Sequence, residues 1–201
     1  MKKKIQFLRS SVMGLIFVST TLLLILTFTF TACNNKQPKD STEVAEDQNE
    51  AKFESKEEDA EFLVSVAAMN LEEIQLGQLA QTKSQNPLVV NLGKMMEDKH
   101  KQALSDLQEL AAKKQITIPT TLSESGKEAN NSLMDKVGKD FDEDYCDRMV
   151  STHKDAIDKF EEISKDAIDL DIRNWAASMV PEMRTHLDSS ISCQEQVGNM
   201  K

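Results

Sequence analysis

Histidine, cysteine, proline and glycine are scarce in this chain, at 3, 3, 4 and 6 of 201 residues, and there is one Trp and one Tyr. No Gly-x-Ser-x-Gly turn and no glycine-rich phosphate loop occurs, which removes the common hydrolase and nucleotide-binding signatures. No segment alternates apolar and polar residues as a strand does, so the class is all-α. Positive charge is also in deficit, with 24 Lys+Arg against 34 Asp+Glu and a formal net charge of −10, which argues against nucleic acid as a partner.

What is present begins with Lys2, Lys3, Lys4 and Arg9, an apolar stretch from Val12 to Phe30, and then Phe30-Thr31-Ala32-Cys33. A charged start, a greasy middle and a small-residue exit are the order of a secretory signal. The stretch approaches a membrane-spanning length, so an uncleaved anchor helix is the competing reading. Ala32 before Cys33, and the polar Asn34-Asn35-Lys36-Gln37 after it, resemble a bacterial lipobox and its tether, with Phe30 where Leu is usual. Residues 1–32 are therefore read as a lipoprotein signal peptide and Cys33 as the lipidated first mature residue. The chain would then meet a membrane through its lipid anchor, its domain in the periplasm or at the cell surface. Cleavage leaves 20 basic and 34 acidic residues, a charge of −14. That acidity keeps the body off anionic lipid.

From Asn34 to about Lys56 only Val44 and Phe53 are sizeable apolar groups, so 33–56 is expected to be a disordered tether. Its root-mean-square span would be roughly 25 Å. One domain follows over 57–201. Four segments show helical periodicity: 57–84 stacks Phe62, Val66, Met69, Leu76 and Ala80, and 87–114 stacks Val89, Leu92, Met96, Ala103, Leu107 and Leu110. The third, 140–167, stacks Tyr145, Met149, Ala156, Phe160 and Ile163; the fourth, 170–198, stacks Ile172, Trp175, Met179, Met183 and Val197. Between the second and third, Ile116, Ile118 and Pro119 lie in an extended stretch, and Ser123 caps a short helix to about Val137. Two hairpins joined by a long crossover carrying a short extra helix are the order of a ferritin-like four-helix bundle.

The scarce histidines all fall on the apolar stripes. Met96-x-x-x-His100-Lys101-x-Ala103-Leu104 repeats as Met149-x-x-x-His153-Lys154-x-Ala156-Ile157, and His186 lies between Met183 and Ser190. Glu73 lies between Met69 and Leu76. Measured from the turns near Gln85 and Ile168, each pair across a hairpin is level within about one helical turn at 1.5 Å per residue. One imidazole or carboxylate from each of four helices at mid-height is how helical bundles build metal sites, here for one iron, zinc or copper ion. The competing reading is a hydrogen-bonded polar core without metal. Glu97 stands three before His100, the Glu-x-x-His spacing of di-iron carboxylate proteins, but His153 replaces the glutamate that such a site needs on the third helix. Any metal is expected to be mononuclear. Met96, Met149, Met179 and Met183 around the histidines would suit Cu(I), and they equally serve as core filler. Cys146 and Cys193 fall on neighbouring helices at similar height, so they form either a disulfide or two buried thiols. Pro181 interrupts the backbone bonding of the fourth helix one turn before His186, where a kink is expected.

The ordered motifs Glu73-Ile74-Gln75-Leu76-Gly77, Met96-Glu97-Asp98-Lys99-His100, Phe141-Asp142-x-x-Tyr145 with His153 eight further on, and Pro181-x-x-x-x-His186-Leu187 resemble the domain of unknown function 4142 family. The resemblance covers about 58–197. It implies a ferritin-like helical bundle of the bacterial envelope, with Glu73, His100, His153 and His186 as signature positions and no established activity. Asp98-Lys99-His100 departs from the family's usual adjacent Asp-His. Two functions follow as expectations. One is a metal-binding module built on Glu73, His100, His153, His186 and Glu97. The other is a non-enzymatic structural or stress-related envelope protein acting through protein partners that the sequence does not name. Without a hydrolase or nucleotide signature, binding is favoured over catalysis.

Overall fold

The computed structural model describes residues 39–50, 52 and 57–200. The expected signal peptide and Cys33 lie outside them. Among the described residues the elements are α1 (Ser41–Glu50), α2 (Glu57–Lys83), α3 (Pro87–Lys114), α4 (Glu124–Met134), α5 (Gly138–Asp166) and α6 (Leu170–Gly198), with no strand. The four long helices begin and end within two residues of where periodicity places them. No helix among the described residues is long and apolar enough to cross a membrane.

Local chemistry sets the turns. Asn86 accepts a hydrogen bond from the Leu88 N–H ahead of Pro87, whose missing N–H costs nothing in a first turn. Asp169 accepts from the N–H groups of Asp171 and Ile172 at the start of α6. Ser123 accepts from the Gly126 N–H to start α4. The short turns 84–86 and 167–169 fold α2 back on α3 and α5 back on α6, and the hairpins meet through α3 against α6 and α2 against α5. Asp59 ties them at one end: its buried carboxylate accepts from the N–H groups of Ile168 (3.1 Å) and Asp169 (2.6 Å). Within the first hairpin the backbones nearly touch, because a Cβ on Gly77 would stand 2.6 Å from the Gly93 carbonyl oxygen. α6 continues as helix through Pro181.

The tether expectation needs correction over Ser41–Glu50. This stretch is helical and packs on α2, with Ala45 and Asn49 buried. Asn49 supplies the anchorage that a count of apolar residues overlooks: its amide accepts from the Thr117 N–H and donates to the Thr117 carbonyl, both at 2.8 Å. Polar side-chain bonds to a distant backbone replace apolar burial here.

Because α1 and α4 also pack on α2, that helix is buried over a wider arc than one stripe, taking in Leu63, Val64 and Ala67 while Met69 stays half-covered. The interior has two apolar clusters. One centres on Phe62, Phe160 and Trp175, with Phe62 edge-on to Phe160 at 5.1 Å between centroids. The other gathers Leu76, Val89, Met96, Phe141, Tyr145 and Met149. Between them every long helix contributes buried polar side chains: Asn70 and Glu73 from α2, His100 from α3, His153 from α5, and His186 and Ser190 from α6.

Candidate metal centre

His100 lies between Met96 of one cluster and Ala103 of the other, and His153 likewise between Met149 and Ala156, so the internal repeat places both rings at the same boundary. His186 joins them from α6. The three rings form a nearly equilateral triangle, with centroid separations of 5.5, 5.2 and 5.3 Å. One ring nitrogen from each lies within 4.8 Å of the others. All three are buried.

Hydrogen bonding decides which nitrogen each ring offers. His153 Nδ1 faces the Met149 carbonyl at 2.8 Å; a carbonyl only accepts, so Nδ1 carries the hydrogen and Nε2 keeps its lone pair. His100 Nδ1 faces Asn70 Oδ1 at 2.9 Å, and the Asn70 amide nitrogen donates to the Val66 carbonyl at 2.8 Å. The Val66 carbonyl dictates which way the Asn70 amide points, and the amide oxygen then requires hydrogen on His100 Nδ1. Nε2 of both rings is thereby left as a free donor of electrons. A metal-ligating histidine is oriented in the same manner, by a bond from its other nitrogen. His100 Nε2, His153 Nε2 and both nitrogens of His186 have no hydrogen-bond partner despite complete burial.

The electrostatics agree. Burial, reinforced by the neighbouring His153 and His186, pushes His100 well below the ordinary imidazole range. Burial lowers His153 also, and takes His186 down to about 4. At neutral pH all three rings are uncharged, the form that binds a metal.

Glu73 is buried with both carboxylate oxygens unpartnered, and desolvation raises it to about 8, so it is chiefly protonated at neutral pH. It stands outside the tight histidine cluster. Glu97 is directed elsewhere: its carboxylate accepts from Gln78 (2.9 Å), Gln81 (2.6 Å) and Lys101 (2.6 Å), and these donors hold it at about 2. On the side of the cluster reached from solvent, Glu182 Oε1 lies 3.8 Å from His186 Nε2 and 3.0 Å from Lys99 Nζ. Cys146 and Cys193 come together away from the histidines as thiols, their sulfurs 2.8 Å apart. Asn70 carries no signal in a single sequence, since its role depends on α2 facing His100.

A family model described as Domain of unknown function (DUF4142) matches residues 43–191, and the chain belongs to that family. The match begins inside the stretch that forms α1. No curated protein and no solved structure matches the chain.

Proposed function

We propose that this member of the family binds one transition-metal ion through Nε2 of His100 and His153 and one ring nitrogen of His186. The observation that carries the reading is the convergence of three neutral, buried imidazoles whose inward nitrogens have no hydrogen-bond partner. An orphaned buried polar atom costs on the order of 1–3 kcal/mol, and four ring nitrogens at one level are a large burden for a core without a ligand. An ion held 2.0–2.1 Å from each ring would set the nitrogens roughly 3.4 Å apart, within reach of small ring rotations. Imidazole donors without thiolate suit zinc, iron or copper. Three protein ligands leave a further coordination position open, the arrangement of a site that exchanges a small ligand. Glu73, a buried carboxyl raised to about 8, lies outside this ligand set, and so does Glu97.

The fold reading that accompanies it is a ferritin-like four-helix bundle, supported by two long hairpins joined through a crossover bearing α4. An envelope lipoprotein anchored at Cys33 rests on the order of residues 1–33 alone. Purified chain offered zinc, iron(II) and copper in turn, then freed of excess, should retain about one equivalent of at least one metal by elemental analysis. Retention of none, or equal retention by the His100→Ala, His153→Ala, His186→Ala triple variant, would establish the polar layer as a structural element instead.

A further inference from the structure

Cys146 and Cys193 take no part in the histidine cluster. Cys146 is fully buried on α5, and Cys193 on α6 lines an outer groove of about 480 Å³ between α3 and α6. The groove has an apolar side formed by Leu88, Leu92 and Met95 and a polar side that includes Ser189 and Ser192; Asp188 is the charged residue that lines it. The two sulfurs are unequal in position: both residues are buried, but Cys193, 5% exposed, forms part of the groove wall, and Cys146, 0% exposed, stands 2.8 Å from it on the inner side.

We propose that Cys193 and Cys146 form a dithiol site that reduces a small neutral hydroperoxide reaching Cys193 through this groove. The Cys193 thiolate attacks the terminal peroxide oxygen; an S–O bond forms, the O–O bond breaks, and the departing oxygen takes a proton from solvent as alcohol or water. The Cys146 sulfur then attacks the Cys193 sulfur. An S–S bond forms, the S–O bond breaks, and the hydroxide leaves as water with the Cys146 proton. Two thiols and one hydroperoxide give one disulfide, one alcohol and one water, the two electrons passing from sulfur to the O–O bond. The Cys146 S–H donates to Cys193, which favours the thiolate at Cys193 and holds Cys146 protonated. An anionic hydroperoxide is disfavoured, because no Lys or Arg lines the groove and Asp188 does.

The full chain carrying Cys33→Ser, kept in EDTA to exclude metal-driven oxidation, is treated with hydrogen peroxide at neutral pH and read by peptide mass. The expected product has lost two hydrogens and links the Cys146 and Cys193 peptides. With Cys146→Ser added, dimedone should trap a sulfenic acid at Cys193; with Cys193→Ser instead, capture at Cys146 should be slower by about tenfold or more. In the unaltered pair, limiting iodoacetamide should label Cys193 first, a readout independent of how the serine variants fold. Absence of the linked peptide, or Cys146 reacting as fast as Cys193, overturns the proposal. Because EDTA is present throughout, neither result depends on the metal reading.

Discussion

Phe62 and Phe160 of the aromatic cluster and the three histidines are equally buried, and the two regions are stabilised in opposite ways. Phe62 and Phe160 carry no polar side-chain atom to satisfy, Trp175 packs half-buried against them, and the rings meet edge-on or tilted at 5.1 to 6.2 Å. Two to three turns along the helices, His100 Nε2, His153 Nε2, both nitrogens of His186 and, outside the triangle, the Glu73 carboxyl are removed from water with no hydrogen-bond partner. The first region makes the fold and the second burdens it. A layer that lowers the stability of the ligand-free chain is intelligible as a binding site and poorly intelligible as scaffolding.

The contrast breaks first at its apolar side. Phe160→Ala should cost about 3–5 kcal/mol in denaturant unfolding, through lost transfer energy and the cavity left behind. A loss below about 1 kcal/mol would show that this cluster is not the principal stabilising element.

Glu73→Gln should act in the other direction. The raised carboxyl contributes its full stability below pH 4.5, the ordinary value, and loses it as pH rises toward about 8. The glutamine variant mimics the protonated form, so in metal-free chain its gain should grow from nothing near pH 4.5 to about 2–4 kcal/mol at pH 8. A gain independent of pH would remove the buried carboxyl from the comparison.

His186→Leu sharpens the middle layer, because both nitrogens of this ring lack hydrogen-bond partners. Metal-free chain should gain about 1–2 kcal/mol. Its stability should also fall less steeply on acidification: a histidine lowered to about 4 contributes above the ordinary 6.5 and loses that contribution as pH falls through its folded value. Metal retention should vanish with the same change. Destabilisation of the metal-free variant would instead make the ring a structural member. At the small end, Lys159→Ala removes an exposed pair with Glu162 outside both regions and should change stability by no more than about 0.5 kcal/mol.

The histidine triangle was legible because helical periodicity is a local property. Met96-x-x-x-His100 and Met149-x-x-x-His153 place each ring on its stripe, and counting residues from the two turns brings three helices to one height without any knowledge of packing angles. Glu97 shows the limit of that method. It lies three residues from His100 and on a neighbouring face, and Gln78 and Gln81 across the hairpin hold it away from the cluster. Asn70 shows the converse: the residue that sets the tautomer of His100 is 30 positions away and becomes visible only when α2 lies against α3. Likewise α1 is polar by composition and ordered by Thr117, which the crossover carries back to meet Asn49.

By itself the sequence determined the four long helices, the two turns between them, the division of each into apolar and polar faces, and the inward aim of three histidines and one glutamate, since all of these follow from the residue order within a single helix. Only the tertiary structure decided which of those groups share a site, which ring nitrogen His100 and His153 offer, and why Cys193 lines a groove while Cys146 lies behind it. Those distinctions are set by angles and separations between helices, to which the spacing of residues along one helix is blind.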